Sequence, residues 1–157
     1  MKGKDKKEKT NREKHSAKLT LLFIKKINQS NKLMNEESNR IITWSLSIIG
    51  GSVLIIISTS YIQPTGKILY SYFLFALGWL CLGTSIFFGE MLTRIYIAGI
   101  TVADYDLDGI KKIGVEADKK FNSQIRWFRI GIITFSIWLI TFLIWFILFK
   151  NTNTNAI

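Results

Sequence analysis

Three stretches of this 157-residue chain, Ile41 to Gly66, Ile68 to Gly89 and Ile130 to Phe149, contain no Asp, Glu, Lys or Arg. Each exceeds the roughly 18 uncharged residues that a helix needs to cross a hydrocarbon layer about 30 Å thick. A helix on the surface of a soluble domain would show a polar stripe about every 3.6 residues, and none of the three blocks shows one. Insertion energetics agree. Each Ile, Leu, Phe or Val at the centre of a span favours the membrane by about 0.3–0.6 kcal/mol, whereas a charge there costs about 2.5–3.5 kcal/mol. The expectation is an all-α integral membrane protein with three transmembrane helices, an antiparallel hairpin plus a third span. The first block begins too far from Met1 and runs too long for a cleaved signal peptide, so it reads as a retained signal anchor.

Charge orients the spans. Residues 1–40 carry 12 Lys and Arg and residues 90–129 carry 7, while the other side holds only Lys67 and Lys150. The positive-inside rule places the N-terminus and the long connection in the cytoplasm and the C-terminus outside. The net charge of +10 is thereby read as topological. The basic tail would also attract anionic lipid headgroups. Nucleic acid is an unfavoured partner, because residues 1–18 interleave no aromatic side chain on which a base could stack.

The expected organisation follows in chain order. A polar tail over 1–17 lacks the apolar side chains that would offset its ordering entropy and reads as disordered. Residues 18–40 form a cytoplasmic amphipathic helix, with Leu19, Phe23, Ile27 and Met34 at helical spacing among lysines; it either lies in the membrane plane or packs on the chain's own cytoplasmic segment. Transmembrane helix one covers 41–62 and an external turn 63–67, Gln63-Pro64-Thr65-Gly66-Lys67, is short enough to make spans one and two neighbours. Span two covers 68–89 and ends on the opposite-sign pair Glu90 and Arg94, spaced i,i+4. A cytoplasmic helical hairpin occupies 90–127, span three 128–149 and an external tail 150–157.

Small residues mark packing faces. Thr43, Ser47 and Gly51 fall four residues apart on span one. Ser71, Gly78, Ser85 and Gly89 fall at steps of seven, seven and four on span two. Each set forms one strip on which another backbone can approach closely. The strips either face each other within the chain or serve an oligomer. Span three instead carries an aromatic face, Phe135, Trp138, Phe142, Trp145 and Phe149, at steps of three and four. It suits a partner or self-association surface, or packing on lipid and the other spans.

Chemistry is sparse. Asp104-Tyr105-Asp106-Leu107-Asp108-Gly109 matches the first half of a calcium loop. The twelfth position, where a bidentate Glu belongs, is Val115, and Lys111 holds the usually apolar eighth position. Asp108 therefore reads as a helix cap rather than a ligand. His15 is the only histidine, and Cys81 lies mid-span without a second cysteine. No catalytic, cofactor-binding or metal-ligating residue is assigned, and three uncharged, uninterrupted spans argue against an ion-coupled transporter.

The layout over roughly residues 18–120, a short amphipathic helix before a transmembrane hairpin and a cytoplasmic helix after it, is similar to bacterial membrane effector modules. No residue motif carries that likeness, the third span departs from the two-span version, and no family is assigned. Two functions are expected to compete. One is a homo-oligomeric effector or channel-like subunit in a bacterial inner membrane, regulated through its cytoplasmic helices. The other is a non-conducting adaptor, immunity or accessory subunit bound to another membrane protein.

Overall fold

The structure is a computed structural model that describes residues 2–59, 71–102 and 107–154. The turn 63–67, Asp104, Asp106 and the last three residues of the tail lie outside the described residues, as does the side chain of Phe149. The described chain is entirely helical: α1 spans Lys2–Thr59, α2 Ser71–Val102 and α3 Leu107–Thr154. At about 1.5 Å per residue, the 58 residues of α1, 32 of α2 and 48 of α3 run to roughly 87, 48 and 72 Å. Each helix exceeds the ~30 Å hydrocarbon thickness and contains a segment long and apolar enough to span a membrane, within Lys18–Ile57, Ser71–Ile100 and Asp108–Leu148.

α1 differs from the sequence expectation in having no division. It is helical from Lys2, where disorder is expected, and continues unbroken across residues 40 and 41 into the apolar block. The reason is local. No Gly or Pro interrupts residues 4–49, and Lys, Glu, Arg and Leu dominate the stretch before the block. A helix nucleated in the apolar block therefore propagates outward at little cost per residue. The 18–40 segment packs on the chain itself: Asn31 is buried, and the Cγ2 of Ile27 lies 3.9 Å from where a Cβ on Gly114 would stand.

All three helices repeat their buried positions every seven residues. On α1 these are Asn31, Ser38, Ser45 and Ser52; on α2, Ser71, Gly78, Ser85 and Leu92; on α3, Ile110, Ala117, Gln124, Gly131 and Trp138. Half-buried Ile27, Met34, Ile41, Ile48 and Ile55 keep the same step beside the α1 serines. Seven residues fall about 20° short of two turns of a straight helix, so a strict repeat is satisfied by winding the helices around one another with left-handed twist. The first apolar block thus does carry a polar stripe, of hydroxyls rather than charges, hidden inside the bundle.

The hairpin expected between spans one and two is not the closest pair. α1 and α2 do run antiparallel, with Ile42 against Gly89 and Ser52 against Trp79, but α2 and α3 pack far more extensively. Glycine explains the closeness: a Cβ on Gly131 would stand 2.9 Å from Leu82 Cδ2 and 3.2 Å from its backbone nitrogen. Aromatic rings then fill the end of the α2–α3 contact nearest the start of α2. Phe75 and Trp138 lie 4.7 Å apart, Trp138 stacks on Phe142 at 5.6 Å, and Ile55 and Ile56 of α1 close the cluster. The buried residues of α1 are Asn31 and three serines, which supply little apolar area, and α1 is held less extensively.

Candidate functional site

The seven-residue register brings uncharged polar groups to the bundle axis in layers. The best furnished is the layer of Ser38, Ser85 and Gln124, all fully buried. Gln124 donates from Nε2 to the Ser38 carbonyl oxygen at 3.2 Å, and Ser85 donates from Oγ to the Gln124 carbonyl oxygen at 3.1 Å. Gly89 makes room for the carboxamide, since a Cβ there would stand 2.5 Å from Gln124 Nε2. One turn toward the N-terminal end of α1, the Thr93 hydroxyl lies 3.1 Å from Asn35 Oδ1 and 3.2 Å from the Gly89 carbonyl oxygen. Two layers in the opposite direction, Trp79 Nε1 donates to Ser52 Oγ at 2.8 Å, and that hydroxyl donates to the Ile49 carbonyl oxygen at 2.6 Å.

Three of the buried oxygens, Ser38 Oγ, Ser45 Oγ and Gln124 Oε1, have no hydrogen-bonding partner among the described residues, and neither has Trp138 Nε1. An unsatisfied buried polar group costs about 1–3 kcal/mol. A run of them along one axis is therefore a feature that packing alone would not favour.

The two small-residue strips expected from the sequence separate. Ser71, Gly78, Ser85 and Gly89 are buried, and Gly78 faces α3, where its Cβ would stand 3.4 Å from Phe135 Cβ. Thr43, Ser47 and Gly51 are exposed on the outer side of α1. Thr43 and Ser47 donate back to the carbonyl oxygens of Asn39 and Thr43, both at 2.9 Å, which satisfies hydroxyls in an apolar setting. Nothing lies within 4 Å of a Cβ placed on Gly50 or Gly51. The strips therefore do not face each other. The α1 surface that meets α2 and α3 is instead the Asn31, Ser38, Ser45 and Ser52 face.

The aromatic face of α3 turns inward. Trp138 and Phe142 are buried and Phe135 and Trp145 half-buried, packed on Phe75, Tyr72 and one another. The acidic loop keeps only Asp108 among the described residues. It is exposed and sits within the first turn of α3, one residue past the start, so the cap position falls before it. There its charge opposes the helix dipole favourably and lies 4.0 Å from Lys111 Nζ. Glu90 and Arg94 are both exposed, and Cys81 is a buried free thiol. Among the described residues no group of three His, Cys, Asp or Glu could hold a metal.

Gln124, Asn31, Ser38, Ser45 and Ser52 are not among the residues singled out from sequence. The signal of the four α1 residues is their period of seven, whereas small residues at steps of four fall on the opposite face. Comparison with protein-family models, curated proteins and solved structures finds no match for this chain.

Proposed function

We propose that this chain is a three-span protein of a bacterial inner membrane, N-terminus and α2–α3 connection cytoplasmic, that self-associates as an effector or channel-like subunit. Its helical cytoplasmic ends receive the regulating signal, and its basic N-terminus lies against anionic headgroups. The supporting observation is the outer face of α1. Thr43, Ser47 and Gly51 form a small-residue strip left exposed among the described residues, in a segment where close helix approach is driven by such residues. The axis of one chain is filled by Gln124, Leu82 and Trp138, each fully buried, so a path for ions in this reading runs between copies.

A second reading, a non-conducting adaptor, immunity or accessory subunit, draws support from α2. Leu80, Gly83 and Phe87 are exposed along a groove on its outer face, and nothing lies within 4 Å of a Cβ on Gly83, leaving room for a partner's helix.

Native mass measurement in detergent, paired with membrane-potential and dye-leak recordings in expressing bacteria, separates the two. The expected result is an oligomer that depolarises the membrane. In Gly51→Ile it dissociates to monomers and the current is lost, while unfolding is little changed because an added Cβ meets nothing within 4 Å among the described residues. A monomeric, electrically silent wild type would sink the self-association reading.

A further inference from the structure

The geometry points to a bound water molecule in the Gln124 layer, held by Gln124 Oε1, Ser38 Oγ and Ser85 Oγ as an integral part of the α1 interface. Two of these oxygens, Gln124 Oε1 and Ser38 Oγ, are fully buried and have no partner among the described residues. Turning the carboxamide over does not rescue them. It would aim Oε1 at the Ser38 carbonyl oxygen now served by Nε2 at 3.2 Å, setting acceptor against acceptor. Ser85 spends its proton on the Gln124 carbonyl oxygen at 3.1 Å, which leaves the lone pairs of its hydroxyl free to accept.

The inventory of needs is therefore one donor to accept from, Ser38 O–H, and two acceptors to serve, Gln124 Oε1 and Ser85 Oγ. One water answers it, accepting once and donating twice, which is the roughly three bonds that buried waters make. A cation fits the inventory poorly. It offers nothing to the Ser38 proton, the oxygens are all neutral, no acidic cluster stands among the described residues, and a hard ion such as calcium takes about 6–8 oxygens. The small side chains of the layer are Ser38 and Ser85, and the space over Gly89 is taken by the carboxamide and Ile42. The aromatic end of the α2–α3 contact is packed by rings, whereas the Gln124 layer, where α1 meets both helices, is wet. This inference does not depend on self-association.

The test uses the full chain in lipid nanodiscs with nitrogen-15 glutamine and leucine, measuring magnetisation transfer from water to amide protons. Gln124→Met identifies the Gln124 side-chain signal by its loss. The expected result is strong transfer from a long-lived water to the Gln124 carboxamide and none to the backbone amide of fully buried Leu82. In Ser38→Ala, the Gln124 transfer is lost while the indole signals of Trp79 and Trp138 stay in place. Wild-type Gln124 transfer no greater than that of Leu82 overturns the proposal without any variant. A shift of the Gln124 signal when sodium or potassium chloride replaces choline chloride at equal ionic strength overturns it in favour of a cation.

Discussion

Trp138→Ala is expected to be among the most destabilising single substitutions in this protein, costing about 3 kcal/mol or more, whereas Trp138→Phe costs far less. Trp138 is fully buried and touches rings on both sides, Phe75 at 4.7 Å, Phe135 at 5.3 Å and Phe142 at 5.6 Å. Truncation to alanine leaves a void at the centre of the aromatic cluster, and large-to-small changes of this kind cost about 3–5 kcal/mol in soluble cores. In lipid the transfer part shrinks, because lipid tails are as apolar as the core, but the lost dispersion contacts remain. Phenylalanine keeps a ring in the cluster and deletes the indole N–H, which has no partner among the described residues, so relief of an unsatisfied donor offsets part of the smaller void. Reversible unfolding in mixed detergent micelles measures both. Equal losses for Ala and Phe would show that the aromatic cluster is not what holds α3.

The second large effect is overpacking. Gly131→Leu is expected to part α2 from α3 and to lower stability by on the order of 3 kcal/mol, the upper part of the overpacking range. A Cβ alone would meet Leu82 Cδ2 at 2.9 Å and Cγ at 3.0 Å, and behind them the backbone nitrogen of Leu82 at 3.2 Å. The leucine side chain can rotate away, but the backbone of α2 cannot move without opening the whole contact. Gly131→Ala tests the same geometry more gently, and trimming the neighbour in Gly131→Ala with Leu82→Ala should recover part of its loss. The readout is the apparent melting temperature of the detergent-solubilised chain, alongside a disulfide cross-link introduced across α2 and α3. A Gly131→Leu variant as stable as wild type, with cross-linking intact, would show that the helices tolerate a wider separation.

How much of this was legible beforehand depends on what a residue type reports. Missing charges over 20 or more residues mark an apolar helix regardless of neighbours, so the apolar segment of each long helix could be read from composition, whereas the start of α1 at Lys2 could not. Pairing could not. Small residues at steps of four on α1, Thr43, Ser47 and Gly51, looked like the packing face, yet they are exposed, and Ser38, Ser45 and Ser52 at steps of seven are inside. Serine fits either face by size, and only the step distinguishes them, because helices that wind together hold a face at 3.5 residues per turn rather than 3.6. Likewise Phe135, Trp138 and Phe142 announced a stripe without saying what it faced. Gly131, one turn away on the same side of α3, is what turns that stripe toward α2. Gln124 was hidden by its place outside any apolar block, five residues before Arg129, the last charge ahead of the block Ile130 to Phe149.

The identical spacing along α1 has one more consequence. Shifted lengthwise by seven residues, about 10.5 Å at the usual rise, this helix would offer its neighbours nearly the same sequence of faces, Ser45 where Ser38 stands and Ile48 where Ile41 stands. Gln124 cannot tell the two alignments apart, because it binds a backbone carbonyl and every residue has one. Asn35 can. Its side-chain oxygen lies 3.1 Å from the Thr93 hydroxyl, and the same slide would bring Ile42 to that hydroxyl instead. A screw thread is indifferent to which turn it rests on, and here the pin that chooses is a single asparagine.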